Sequence, residues 1–114
     1  MYNSRKINLA DVKPREDVCG ILRELYASEH MSLAHVVVTG IAKKHMHKKM
    51  EEVYYVTEGE GKLFLGDDTL EIKLGDTIPI PKDTWHYLIK VPDKQLSVLV
   101  ITYPNFDPSD VIEE

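Results

Sequence analysis

Short segments of alternating residues, cut at even intervals by turn formers, constrain this chain more than any other feature. "TLEIKLGD" sets Leu70, Ile72 and Leu74 against Glu71 and Lys73 and closes on Gly75-Asp76. Successive strand side chains point to opposite faces, so this pattern reads as a half-buried strand. "MSLAHVVVTG" is rich in β-branched residues and stops at Thr39-Gly40. "EEVYYVTEGEG" reads as a strand ending in a glycine turn, "GKLFLGDD" as the next one turning at Gly66-Asp67-Asp68, and "QLSVLVITYP" as the last long one. "GILRELYAS" suits a strand or a short helix, and its place before another strand favours strand. "TIPIPKDTWHYLIKV" carries Pro79 and Pro81, which lack an N–H and belong at a sheet edge or a strand start. Residues 11–17, with Pro14, read as an irregular lead-in, and "NFDPSDVIEE" as an acidic, turn-rich tail. Seven or eight short strands without a secure helix predict an all-β sandwich or barrel.

A chain of 114 residues, 43% of them hydrophobic, has the size of one domain with a packed core. The single cysteine, Cys19, excludes an intramolecular disulfide framework and suits a reducing compartment. Residues 1–30 lack the basic-then-apolar pattern of a signal peptide. The longest apolar run, Leu96–Ile101, is broken by Ser97 and too short to span a bilayer. A net charge of −5 argues against nucleic acid as a partner. A soluble, cytoplasmic protein with neither nucleic-acid nor membrane partners is the expectation. Positive charge is nevertheless concentrated at Lys43, Lys44, Lys48 and Lys49. Such a cluster reads as a solvated face that blocks edge pairing, or as a rim that steers an anionic substrate.

Those lysines surround His45 and His47, which stand two apart and share a face if the chain is extended. Glu52 and Tyr54 share one face of the next strand, with Glu51 and Val53 on the other. His86 follows "PKDTW" at the start of a later strand. Three imidazoles and a carboxylate are ligands that divalent transition metals accept. A His-x-His pair alone is weak, because most such pairs are surface histidines.

The joint spacing is more specific. Residues 40–59, G-x4-HMH-x4-E-x6-G, resemble the first signature motif of the cupins, with Gly40, His45, His47, Glu52 and Gly59 at the motif positions. Residues 75–90, "GDTIPIPKDTWHYLIK", are similar to the second, through Gly75, Pro81 and His86. The first glycine and first histidine are one residue closer than is usual, and Asp83 and Lys90 replace a usual glycine and asparagine. None of these changes touches a ligand. The resemblance implies a double-stranded β-helix, a jelly-roll-like barrel of about six to eight strands. It spans residues 20–106, between an N-terminal segment 1–19 that packs on a partner subunit and the acidic tail 107–114. It further implies a homodimer and one divalent metal (Mn, Fe or Ni, with Zn acceptable) held by His45, His47, Glu52 and His86. Counting back from Gly59 selects Glu52, and Glu51 then points outward.

Neighbours of this set have two readings each. Tyr54 and Leu88 share the parity of the ligands and line the interior, whereas Trp85 and Tyr87 alternate outward. Tyr54 is the candidate catalytic residue, a hydrogen-bond or proton donor to a substrate oxygen, against plain core packing. His35 reads as a cross-strand polar partner rather than a support for the metal, and His30 as exposed beside Glu29. Either Arg23 or Glu24 faces inward. Cys19 reads as packed or idle. The function expected is a metal-dependent enzyme acting on a small molecule, an anionic one if the lysine rim steers it, of dioxygenase or sugar/sugar-phosphate isomerase type. The alternative is a non-catalytic small-molecule-binding or sensing cupin.

Overall fold

The computed structural model describes residues 5–40 and 42–114; the first four residues of the N-terminal segment lie outside them. Ten strands are present among the described residues: β1 (Arg15–Asp17), β2 (Gly20–Ala27), β3 (Ser32–Val38), β4 (His45–Met46), β5 (Glu51–Leu65), β6 (Asp68–Lys73), β7 (Thr77–Ile80), β8 (His86–Lys90), β9 (Leu96–Tyr103) and β10 (Ile112–Glu113). Among the described residues no helix is long and apolar enough to cross a membrane. All pairings are antiparallel. One sheet holds β1, β2, β3, β9, β7 and the first part of β5; the other holds β6, β8, β4, β10 and the last part of β5. The all-β jelly-roll barrel expected from the sequence is the fold observed.

The segments read as two strands around a turn at Gly59–Gly61 form a single strand of 15 residues, β5. The glycines bend it instead of ending it. Its register shifts between Val56 and Glu58 against β9, and beyond Gly59 its partners become β6 and β8. Gly59 has φ +78°, and a Cβ there would lie 1.5 Å from the Gln95 carbonyl oxygen, so no other residue fits. "GILRELYAS" is strand, as favoured. Pro79 sits in β7, which pairs only with β5 among the described residues and is therefore an edge. The lead-in and the tail each contain a short strand: β1 pairs with β2, and β10 pairs with β4.

Cross-strand register stacks the inward side chains in rows. Val36, Val98 and Val56 form a deep row, and Ala34, Val100, Tyr54 and Ile78 the next. Ser32, Thr102, Glu52 and Ile80 form the row at one mouth. The deep rows are the hydrophobic core, with Leu63, Leu88 and Leu96 fully buried in it. The buried charged and ligand-bearing side chains cluster at that mouth.

Candidate metal centre

Strands deliver three of the four predicted residues to that mouth, and His47 follows from the turn just after β4. His45 and His86 face each other across the β4–β8 pair, and His86 also pairs with Leu65 of β5. Glu52 enters from the other sheet, between Thr102 and Ile80. His45, His47 and His86 are 1%, 3% and 1% exposed and Glu52 is 6% exposed, whereas neighbouring Glu51 is exposed. One ligand atom from each of the four lies within 4.8 Å of the others.

The hydrogen bonds fix the direction of every ring. His45 Nδ1 donates to the Lys43 carbonyl (2.7 Å), His47 Nδ1 to the Asp110 carbonyl (2.9 Å) and His86 Nδ1 to the Thr84 carbonyl (2.8 Å). A carbonyl only accepts, so in each neutral ring the proton is on Nδ1 and the Nε2 lone pair is free. His47 Nε2 and His86 Nε2 come within 3.0 and 3.2 Å of Glu52 Oε1. With no proton between them, these three buried atoms have no hydrogen-bond partner. Bare, buried acceptors crowded together are costly unless a cation joins them. The donor set fits one divalent ion, with each imidazole held through its other nitrogen, as metal-ligating histidines are.

Electrostatics agree. Burial opposes ionisation of Glu52, but His47 and His86 beside it outweigh burial and hold its pKa at about 2. His45 is pushed down to about 4, first by burial and then by His86. Burial also works against a charged His47, yet Glu52 and the Asp110 carbonyl raise its pKa. Without a metal, a proton on His47 partly answers the Glu52 carboxylate; a divalent ion at the same point would replace that proton and join all four groups.

Beside the ligands lies a cavity of about 30 Å³, space for the centres of about two waters. Leu22, Ala34, Val18, Val100 and Phe106 form most of its wall. Apart from the ligands, its hydroxyls and its arginine already have partners. The Ser32 and Thr102 hydroxyls bond each other, Ser32 Oγ also accepts from Phe106 N, and Arg15 reaches Glu24 at 3.7 Å. Of the Arg23–Glu24 pair, Glu24 is the inward residue; Arg23 sits opposite His35 on the outer face. The cation at the mouth is Arg15, which the sequence reading passed over. Ser32 and Thr102 were also missed, although a hydroxyl in phase with Ala34, Val36 and Val38 is a legible signal.

Other expectations resolve plainly. Tyr54 is 1% exposed, its ring centroid is 6.1 Å from that of His86, and its hydroxyl is 3.9 Å from Cys19 Sγ. Burial pushes both the phenol and the thiol well above their ordinary pKa values, so both keep their protons. Leu88 is buried, while Tyr87 stacks on Phe64 at 4.5 Å and Lys44 lies over Trp85 at 5.9 Å. His35 faces away from the centre, across from Leu99, and His30 is exposed beside Glu29. Each lysine of the rim meets an acid: Lys43–Glu113, Lys44–Glu114, Lys48–Asp83 and Lys49–Asp107. The rim is a solvated, neutralised face.

Comparison with known proteins agrees with this architecture. Residues 32–102 match the family described as Cupin domain, and the chain belongs to that family. An uncharacterised protein of Methanocaldococcus jannaschii is 36% identical over 97 residues, covering 79% of this chain and 78% of its own. The polyketide cyclase RemF of Streptomyces resistomycificus is 25% identical with a TM-score of 0.81, over 97% of this chain and 85% of that one. The Streptomyces nucleoside dehydratase Pac13 is 15% identical with a TM-score of 0.85, over 98% and 92%. At that identity the likeness is one of fold.

Proposed function

We propose that this cupin is a metal-dependent enzyme acting on a small molecule, with one divalent ion held by His45, His47, Glu52 and His86. The observation that carries this reading is the set of pinned rings: three Nδ1 atoms tied to carbonyls, with Nε2 atoms and Glu52 Oε1 converging. Mn²⁺, Fe²⁺ and Ni²⁺ suit three imidazoles and a carboxylate, and Zn²⁺ is an acceptable substitute. When bound, the ion supplies Lewis-acid polarisation of substrate oxygens and, for iron, redox chemistry toward dioxygen.

The chain's own residues do the rest. The apolar wall of Leu22, Ala34 and Val100 leaves few hydrogen-bonding groups beside the ligands and shapes the space there. Tyr54, which keeps its proton, is the candidate hydrogen-bond donor beside His86. Neutralised lysines and a paired Arg15 leave little free positive charge for a phosphate. Few free polar groups serve a sugar's hydroxyls. Between the two expected reactions, the cavity therefore favours dioxygenase-type oxidation of a small, largely apolar chelating molecule over sugar-phosphate isomerisation. RemF and Pac13 support enzymatic use of this barrel, but neither reaction is carried over.

The test is oxygen uptake by protein loaded with Fe²⁺, Mn²⁺ or Ni²⁺ and supplied with small hydroxy acids and diketones, with sugar isomerisation followed in parallel by NMR. The reading expects uptake that needs both metal and substrate. Isomerisation without uptake reverses the choice of reaction. Binding without turnover of either kind favours the non-catalytic sensing alternative.

We further propose a cytoplasmic homodimer. The outer face of the larger sheet presents Leu33, Ile101, Leu99, Val37 and Tyr55, with Arg23 and Glu58 of opposite charge on the same face, so a second copy completes it. Sedimentation equilibrium is expected to give twice the chain mass, and Leu99→Asp to give one.

A further inference from the structure

The tail beyond the barrel carries a residue that the ligand spacing never requires. Asp110 is only 3% exposed, and it meets the metal centre through two different groups. Its carbonyl accepts the Nδ1–H of His47 at 2.9 Å. Its carboxylate accepts backbone N–H bonds from Lys48 (2.9 Å), Lys49 (3.0 and 3.2 Å) and Met50 (3.1 Å). Those three amides are the whole turn between His47 and β5, the strand that brings in Glu52. Met50, at its end, is 1% exposed, so the turn is fastened on both sides.

The rest of the tail runs along the same segment. Ile112 pairs with Met46, Glu113 with His45, and Glu114 N donates to the Lys44 carbonyl at 3.3 Å. The three histidines therefore differ in what aims them. His45 and His86 bond carbonyls two residues before themselves, at Lys43 and Thr84. His47 bonds one 63 positions away. Local strand geometry orients two rings, and only the tail orients the third.

We propose that Asp110 is a positioning residue of the metal centre: its carboxylate grips the 48–50 turn and so holds its own carbonyl where it aims His47. Hydrogen bonds from amides to a charged carboxylate are strong and directional, which suits a clamp. This inference rests on the metal-binding reading above.

The test uses the full chain with Asp110→Ala and Asp110→Asn, and with Glu113→Gln as a control that alters only an exposed ion pair with Lys43. Co²⁺ affinity is measured by competition with a chelator, and the ring N–H signals of the histidines by ¹⁵N-resolved NMR. Loss of a group that supports a ligand typically weakens metal binding by about 10–100-fold, the drop expected for Asp110→Ala. Asp110→Asn keeps one acceptor oxygen and should lose several-fold; it decides the question if the alanine variant does not fold. The hydrogen-bonded His47 Nδ1–H signal should broaden or vanish while those of His45 and His86 persist, a selectivity that general destabilisation would not produce. Wild-type affinity with an unchanged His47 signal in a folded variant overturns the proposal. If the unaltered chain binds no Co²⁺, the metal reading fails, and the His47 signal alone still decides whether Asp110 aims that ring.

Discussion

The two walls that meet at the barrel mouth are built for different tasks. The smaller sheet and the turn that leaves β4 contribute three histidines, each with one nitrogen tied to a backbone carbonyl and the other free. The larger sheet contributes one ligand, Glu52, and otherwise lines the cavity mainly with Leu22, Ala34 and Val100, beside a closed Ser32–Thr102 pair and the Arg15–Glu24 contact. One wall is fixed by hydrogen bonds and offers lone pairs. The other is fixed by packing and offers shape. The comparison teaches that metal affinity and substrate fit should be separable by mutation, because they depend on different sheets and different forces.

Glu52 is the exception that joins the walls, so its loss should have the largest effect. Glu52→Gln removes the only carboxylate of the cluster and should lower metal affinity by more than about a hundredfold, beyond the usual loss for a supporting group. Glu51→Gln, one residue away and exposed, should leave it unchanged. Equal effects in a metal titration would break the assignment.

Filling the apolar wall should do the reverse. Ala34→Leu pushes into the cavity of about 30 Å³ and should abolish substrate binding while metal content stays stoichiometric. Overpacking costs about 1–3 kcal/mol of stability, which thermal unfolding would register. Loss of metal together with substrate would show that the walls are not independent.

Tyr54 lies one row deeper, between the two roles. Tyr54→Phe keeps the ring against His86 and removes a hydroxyl that lies 3.9 Å from Cys19 Sγ. Metal affinity should hold within about twofold, and turnover should fall by about 10²-fold or more if the phenol donates to substrate. Unchanged turnover would return Tyr54 to the core.

The smallest effect is expected at Asp83. This residue stands where the family's second motif usually has glycine, and it adopts φ +59°. The left-handed conformation costs a side-chain-bearing residue about 1–2 kcal/mol, partly offset by the entropy that glycine would lose. Asp83→Gly should therefore stabilise the fold by about 0.5 kcal/mol in a denaturant titration, with the metal centre untouched.

Much of the centre was legible because its ligands obey strand parity. His45 and His47 stand two apart, Glu52 is in phase with Tyr54, and His86 is in phase with Leu88. Parity also placed Glu51 outside. It failed where glycine bends a strand without ending it, so β5 read as two strands around Gly59. It also failed where a strand has two residues, because Ile112–Glu113 is too short to show a period. Asp110 was illegible for a related reason: its partners are backbone amides some sixty positions away, and amides leave no mark on a sequence. The lysine rim looked like a patch of charge because the acids that neutralise it come from the tail and from the turn at Asp83.

The most direct test of the central claim is anomalous diffraction at the metal edge from crystals of Ni²⁺- or Mn²⁺-loaded protein. The account predicts one peak per chain, about 2.0–2.2 Å from the Nε2 atoms of His45, His47 and His86 and from a carboxylate oxygen of Glu52. No peak at that point, or a peak held through Nδ1 atoms or other side chains, would contradict it.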